Sequence, residues 1–445
     1  MCDAPRGGDT FPRIAGGGQR PDGDAGAWLL LTTIEQRFLA GLAGVNPPLG
    51  LAVSGGGDSM ALLHLAVAAG VPVSVATVDH GLRAEAADEA AGVARSCAAL
   101  GVPHAVLHWH WDGAGNLQDS ARRGRLALLS AWARQSGLSA VALGHTQDDV
   151  AETFLMRLAR GAGVDGLSAM AARREVGGVT FLRPLLAVSR GELRDWLRAR
   201  GAAWVEDPSN ANDRFARVRA RRSLSGLADA GLSVASLAAV ASQMAEVREA
   251  LDAQAAHAAA HVARIEAGDV LFDAVGFARL PAETRRRLLL AAVMWISSAE
   301  YGPRGADMIR LRDAVAAGRA ATLAGVRVTH AKGAVRLTRE ARAVAALNAP
   351  ADTIWDNRWK ISGGDHKGLT MCALGAEGLR SCPDWRATGL PRASLLAAPA
   401  LWRGDVLVAA PLARFAAGWQ LSCAAPAGIL AAAAGVRPRS SDLSH

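Results

Sequence analysis

Residues 49–65, LGLAVSGGGDSMALLHL, run a short apolar stretch (Leu51, Ala52, Val53) into Ser54-Gly55-Gly56-Gly57-Asp58-Ser59, followed by a helical pattern with Met60, Leu62, Leu63 and Leu65. A strand, a glycine turn and a helix make a phosphate site: the glycines let backbone approach the ligand, and N–H groups at the helix start face an anion. The Walker loop needs a Lys-Ser/Thr pair after its second glycine, and this stretch has none. Lysine is absent from the first 331 residues, so lysine-dependent phosphoryl transfer has no candidate there. The bland alternative is a glycine turn joining a buried strand to its helix.

Further motifs carry groups suited to the same chemistry. Val78-Asp79-His80-Gly81-Leu82-Arg83 offers an acid for a ribose and a histidine for phosphate or base, or simply a turn. Gly144-His145-Thr146-Gln147-Asp148-Asp149 sets two adjacent carboxylates at a helix start, with Glu152 one turn on. Such acids either cap helix N–H groups or bind Mg²⁺, whose hard charge prefers oxygen. Asp149 and Glu152, three apart on one helix face, suit a metal or an incoming ammonium group. Arg122, Arg123 and Arg125 follow Asn116-Leu117-Gln118; at the mouth of a nucleotide site their forks match phosphate oxygens. His108 and His110 alternate with Trp109 and Trp111, which suits packing or rim histidines better than a metal site.

These motifs need a scaffold, and the pattern supplies one. Short β-branched runs (51–53, 71–78, 102–109, 138–143) alternate with alanine- and leucine-rich helical stretches (58–69, 84–100, 118–135, 147–160). That alternation predicts an α/β fold of parallel βαβ units with ligands at the carboxyl ends of the strands. A helix at 189–200 and a short strand at 203–205 lead to Glu206-Asp207-Pro208-Ser209-Asn210 and an arginine run from Arg214 to Arg222. Helices are expected at 232–262, 281–299 and 303–318, with strands at 322–329 and 333–338. The expected domains are a tail at 1–27, a nucleotide-binding catalytic domain at 28–225, a mostly helical middle domain at 226–345, a linker within 340–352, a small mixed α/β C-terminal domain at 353–430 and a second tail at 431–445.

Composition narrows the setting. A chain of 445 residues can hold two or three cores. No run of roughly eighteen residues is free of charges or breakers, and no basic-then-apolar leader opens the chain, so neither a membrane span nor a secretory signal is expected. Cys2, Cys97, Cys372, Cys382 and Cys423 are widely spaced and form no C-x-x-C pair, which predicts reduced thiols in a cytoplasm and no zinc or iron–sulfur framework. The formal charge of +8 suits a polyanionic partner. Within 301–342, Arg304, Arg310, Arg312, Arg319, Arg327, Lys332, Arg336, Arg339 and Arg342 stand against Asp307, Asp313 and Glu340. Such a patch suits the phosphates of a polyanion, with Arg327, Lys332, Arg336 and Arg339 as its contacts, or is a merely solvated basic face.

Ser54–Ser59 resembles the PP-loop of ATP pyrophosphatases, an adenine nucleotide alpha-hydrolase-like, Rossmann-like fold. More specifically, Val78–Arg83, Gly144–Thr153, Arg157-Leu158-Ala159-Arg160-Gly161-Ala162-Gly163-Val164-Asp165-Gly166-Leu167, Arg183-Pro184-Leu185-Leu186 and Glu206–Asn210 resemble, in order, the tRNA(Ile)-lysidine synthetase family over roughly residues 48–222. Pro399–Asp405 resembles that family's tail more weakly. The resemblance implies a ligase that adenylates C2 of the wobble cytidine of tRNA-Ile with a CAU anticodon, releasing pyrophosphate, and then joins free L-lysine there with loss of AMP. It implies ATP as co-substrate and Mg²⁺ held by Asp58 and Asp149. Ser54, Gly55, Gly56, Gly57, Asp58 and Ser59 would bind nucleotide, Arg125 and Arg217 would face phosphate, and His145 or a carboxylate would take the lysine proton. One departure stands out: the family's F-D-R-N-x-x-R element reads Phe215-Ala216-Arg217-Val218-Arg219-Ala220-Arg221 here. Two other readings stay open, a PP-loop synthetase or amidotransferase adenylating a small metabolite and a non-catalytic nucleotide sensor. The sequence leaves the oligomeric state open.

Overall fold

A computed structural model describes residues 33–81, 86–111, 113, 117–206, 216–299 and 301–435. The expected tail at 1–27, Arg83 and the 207–215 stretch lie outside them. The chain divides into two compact units after Ala245.

The first unit opens with α1 (Thr33–Gly41) and then alternates: β1 (Leu49–Ala52), α2 (Gly57–Ala68), β2 (Val73–Asp79), α3 (Ala86–Ala99), β3 (His104–His108), α4 (Leu117–Gln135), β4 (Ala140–Leu143) and α5 (Gln147–Leu158). After the short α6 (Val164–Leu167) come β5 (Arg173–Val176), β6 (Val179–Leu182), α7 (Arg190–Arg198) and α8 (Ala216–Leu227). The sheet order is β3-β2-β1-β4-β6-β5. Pairs from β3 to β6 run parallel and only β5 runs antiparallel, hairpinned onto β6. β1 and β4 are buried along their length, as strands covered on both faces must be, which is why LGLA and AVAL read as continuous apolar runs. Strand order reverses between β1 and β4, and in such sheets the ligand crevice lies at that switch point. The hairpin β5–β6 has no counterpart in the sequence reading, because RREV alternates nothing apolar. The strand expected at 203–205 is reduced to one parallel bridge, Val205 to Gly56.

The boundary between units falls inside α9 (Val234–Val262). In the second unit, β7 (Ala263–Glu266), β8 (Asp269–Asp273), α10 (Ala274–Arg279), α11 (Ala282–Ser297), α12 (Gly305–Ala316), β9 (Ala321–Leu323), β10 (Val326–Ala331) and β11 (Ala334–Arg339) follow. Their antiparallel sheet is ordered β7-β8-β11-β10-β9 and packs Val326, Val328, Val335 and Leu337 against Leu288, Val293 and Leu311. Helices at 281–299 and 303–318 were expected; β7 and β8 were not. The region beyond holds α13 (Ala341–Val344), β12 (Ala349–Pro350), β13 (Trp359–Ser362), β14 (Thr370–Ala373), α14 (Gly375–Arg380), α15 (Arg392–Leu396), β15 (Pro399–Arg403), β16 (Val406–Ala409) and β17 (Gln420–Cys423).

Two expectations are corrected in this unit. The stretch 340–352 is not a loose linker: Val344 and Ala351 are buried in one core with Trp355, Met371 and Leu401. Nor does a tail begin at 431, since Leu430 and Ala433 pack into the core under the first sheet.

Candidate active site

The glycine loop leaves β1 with Gly55 at φ +89, a conformation that favours glycine, and Gly56 caps α2 without a side chain. The loop is cross-tied: Ser54 N–H donates to Ser59 Oγ (3.1 Å), Ser59 Oγ donates to the Gly56 carbonyl (2.9 Å), and Val205 N–H donates to the Gly55 carbonyl (3.0 Å). With no capping side chain, N–H groups of the first turn of α2 remain for an anion. At the end of β4, Gly144 gives the loop room, since a Cβ there would lie 3.0 Å from the Asp58 carbonyl oxygen.

A cavity of about 610 Å³ opens over this loop. Ser54, Gly56, Gly57, Asp58 and Ser59 line it, together with Arg125, His145 and Asp149. Six expected site residues from the loop and three from elsewhere thus share one neighbourhood, Gly55 contributing by its turn. Arg217 lines a second cavity of about 530 Å³, which shares Arg125 and His145 with the first.

The acids are organised by a residue the sequence reading passed over. Arg190, first residue of α7, donates from Nε to Asp58 Oδ2 (3.0 Å) and from Nη1 to Glu152 Oε1 (3.0 Å), and its backbone N–H donates to Asp148 Oδ2 (2.7 Å). Asp149 Oδ1 lies 3.7 Å from Arg190 Nη2 and 3.9 Å from Arg217 Nη1. Arg221 adds a bond to Glu152 Oε1 (2.9 Å), while Glu152 Oε2 is buried without a hydrogen-bond partner among the described residues. Burial opposes the charge on Arg190, but Asp58, Glu152 and Asp149 more than reverse this and hold its pKa above the usual arginine range. Burial pushes the Asp58 carboxyl up, with Arg190 pulling the other way. A signal for Arg190 existed: a cation at a helix N-terminus opposes the macrodipole, so its presence there implies nearby acids.

Asp149 does two jobs. Its Oδ2 accepts the Thr146 N–H (2.9 Å) and hydroxyl (3.0 Å), capping α5, while its other oxygen faces the arginines. Asp148 instead receives the Arg190 backbone N–H. His145, one of the expected bases, is engaged through one ring nitrogen. Its Nδ1 accepts a bond from Arg183 Nε (3.2 Å), and burial, reinforced by Arg183, Arg125 and Arg217 and opposed by Asp149, lowers its pKa to about 4. The ring is therefore neutral near pH 7 and carries its proton on Nε2, as a donor. Asp79 binds the Gly81 N–H (2.8 Å), the turn reading of that motif.

For Mg²⁺, no group of three or more His, Cys, Asp or Glu side chains is arranged to hold a metal among the described residues. Asp58 and Asp149 nevertheless suit a phosphate-bridged ion, which takes one or two carboxylates and completes its shell with substrate oxygens and water. Asp58 has only one oxygen committed to Arg190.

In the second unit, Arg327 is exposed, and Lys332 is exposed at the β10–β11 turn, with φ +51. Arg336 and Arg339 are corrected: each side chain is 12% exposed, Arg336 being paired with Asp269 and Glu266 and Arg339 with Asp356. Guanidinium groups so engaged do not present themselves to an RNA backbone.

Residues 31–227 match the family described as the PP-loop domain. The chain is 50% identical over 401 residues to the tRNA(Ile)-lysidine synthase of Ruegeria pomeroyi, covering 88% of this chain and 94% of that one. It is 40% identical over 279 residues to the tRNA(Ile)-lysidine synthase of Methylobacterium sp. strain 4-46 (60% and 81% covered). Against that of Bradyrhizobium sp. strain BTAi1 it is 38% identical over 317 residues (65% and 88% covered).

Proposed function

Because the chain belongs to the tRNA(Ile)-lysidine synthase family, we propose that it is an ATP-dependent ligase joining free lysine to C2 of the wobble cytidine of a CAU-anticodon tRNA-Ile. The observation that carries the reading is the meeting of two cavities at Arg125 and His145, one floored by the glycine loop and the other bounded by arginines. ATP lies with its β- and γ-phosphates on Ser54–Ser59, and the cytidine O2 attacks the α-phosphorus. The Pα–O bond to pyrophosphate breaks, and the diphosphate departs against the N–H groups of the loop. Arg125 and Arg217 offset charge on the α-phosphate. Asp58 and Asp149 would hold Mg²⁺, which supplies further neutralisation of the phosphates.

In the second half, the lysine ε-amine attacks C2, the C2–O bond breaks and AMP leaves. The amine must shed a proton. Asp149 takes it, because His145 already holds one on Nε2 and its free nitrogen is occupied by Arg183. His145 donates to the cytidine O2 instead. The acids around Arg190 attract the ammonium group that arrives with lysine. A helix long and apolar enough to cross a membrane is absent among the described residues, and a cytoplasmic setting suits a tRNA substrate.

The test is incorporation of radiolabelled lysine. Label should enter a CAU-anticodon tRNA only with ATP present, with AMP and pyrophosphate formed in step. Label-free tRNA alongside an adenylated small acid would replace this reading with the metabolite synthetase.

A further inference from the structure

Among the described residues, four arginines line the cavity over the glycine loop, and three of them are accounted for. Arg190 is held by Asp58 and Glu152, Arg221 bonds Glu152 Oε1 (2.9 Å), and Arg125 stands on the wall that both cavities share. The fourth, Arg194, has no part in the steps given above. It lies four residues after Arg190 on α7, so the two side chains leave one face of that helix. Its Nη2 is 3.3 Å from Glu206 Oε1, and its Nε is buried without a hydrogen-bond partner among the described residues.

The contact with Glu206 brings Arg194 to the edge of the loop. Val205, the residue before Glu206, donates its N–H to the Gly55 carbonyl (3.0 Å) and forms a parallel bridge with Gly56. Trp204 packs on the loop as well, since a Cβ on Gly57 would lie 3.3 Å from Trp204 Cδ1. Residues 204–206 therefore run along Gly55–Gly57, and the guanidinium is fastened to the end of that run. The fastening is loose. The side chains of Arg194 and Glu206 are 37% and 65% exposed, and an ion pair so open to solvent contributes little to stability. Arg190, by contrast, is 13% exposed and holds acids that are partly or fully buried with it.

Arg194 is thus the lining cation that can change partners. When the cytidine O2–Pα bond forms and the Pα–O bond breaks, the electron pair of the broken bond stays on the bridging oxygen. The departing diphosphate gains one negative charge. The loop offers it N–H groups and hydroxyls but no lysine. We infer that Arg194 supplies the missing side-chain cation: its guanidinium leaves Glu206 for two oxygens of the departing diphosphate, and Glu206 opposes the exchange by competing for Arg194 and by repelling the anion. Once the diphosphate has gone, Glu206 takes Arg194 back, so the carboxylate limits how tightly the product is held. The inference rests on the placement of ATP proposed above.

Inorganic pyrophosphate is the probe, titrated by calorimetry into the full-length protein and then used as a product inhibitor of lysine incorporation. Arg194→Gln is expected to weaken its binding about tenfold and Arg194→Lys by less. Glu206→Gln is expected to tighten it about threefold, the weight of an exposed ion pair. Opposite signs are the test, because a pair that only supports the fold moves both variants in one direction. Equal affinity in wild type and Arg194→Gln, or a shift of the same sign in Arg194→Gln and Glu206→Gln, would overturn the inference. If Arg194→Gln fails to fold, Glu206→Gln decides alone, and unchanged or weaker binding there overturns it. Wild-type protein that shows these shifts yet incorporates no lysine would leave the clamp standing and remove the ligation. Lysine incorporation with pyrophosphate binding indifferent to both variants would do the reverse.

Discussion

Arg190 holds together a site whose acids would otherwise repel one another. Four carboxylates lie within 4 Å of its guanidinium or backbone N–H, and its side chain is 13% exposed. Truncation to Arg190→Met leaves partly buried acids without their counter-charge, a change that typically costs about 3–5 kcal/mol. Urea denaturation should show that loss, and Arg190→Lys should recover part of it; equal midpoints for wild type and Arg190→Met would refute the role. Asp58→Ala should lower AMP formation by about 100-fold or more if, as proposed, this cavity-lining group serves the reacting phosphates; near-normal AMP release would remove it from the site. His145 makes a prediction in pH. Its folded pKa of about 4 lies below the ordinary 6.5, so between those values the unfolded chain binds more protons and stability falls as pH falls. The difference in denaturation midpoint between pH 7 and pH 5 should therefore be larger for wild type than for His145→Asn, and parallel losses would contradict the assignment. The glycine loop, Asp58 and Asp149 were legible in the sequence because their chemistry is local. Arg190 was not, because its partners come from α2 and α5, far away along the chain.

The elements behave in the same divided way. β1 and β4 announce themselves because a strand covered on both faces must be apolar throughout, and the capping boxes of α5 and α7 mark where those helices begin. The β5–β6 hairpin does not, since Arg173, Arg174 and Glu175 are exposed on an edge and the burial falls on Val179, Phe181 and Leu182 of the facing strand. Its partner strand is recognisable only once β4 is in place beside it. Gly144 shows how closely elements must approach to assemble the cavity. A methyl group there would press on the Asp58 carbonyl and carbon and on Ser59 Cα, all backbone atoms within 3.1 Å. Because backbone cannot swing aside as a side chain can, Gly144→Ala should cost about 1–3 kcal/mol. It should also displace the start of α2, so the KM for ATP rises while the KM for lysine moves less. A variant with wild-type stability and ATP kinetics would show that the β4–α2 junction has slack that these distances deny.

The second unit turns a charge tally into a question of which charges are available. Asp356 receives a two-bond fork from Arg339, Nε to Oδ2 and Nη2 to Oδ1 at 3.0 Å each, and Arg358 Nη2 lies 3.5 Å from Oδ2. Arg358 also donates to the Gly268 carbonyl (3.1 Å) and lies 5.1 Å from the Trp295 ring centroid. These buried bonds tie 355–359 to β11 and to the β7–β8 turn, which is why residues between them pack rather than flex. Asp356→Ala would leave two nearly buried guanidinium groups unpaired, and a loss of about 3–5 kcal/mol is expected by calorimetry. In composition, Arg336 and Arg339 look the same as Arg327 and Lys332; only burial separates structural cations from available ones. The available pair sits on the solvent-facing side of β10 and at its turn, where Lys332 at φ +51 and Gly333 at φ +73 shape the hairpin tip. If both meet tRNA phosphates, the double variant Arg327→Ala/Lys332→Ala should raise the KM for tRNA with kcat spared. Losing two phosphate contacts should also flatten the plot of log affinity against log salt by about 1.8. Arg336→Ala should lower the thermal midpoint first, since it leaves the buried Asp269 without its ion-pair partner, held only by the Thr338 and Ser394 hydroxyls. A double variant with an unaltered salt slope would place the RNA contacts of this unit on some other surface.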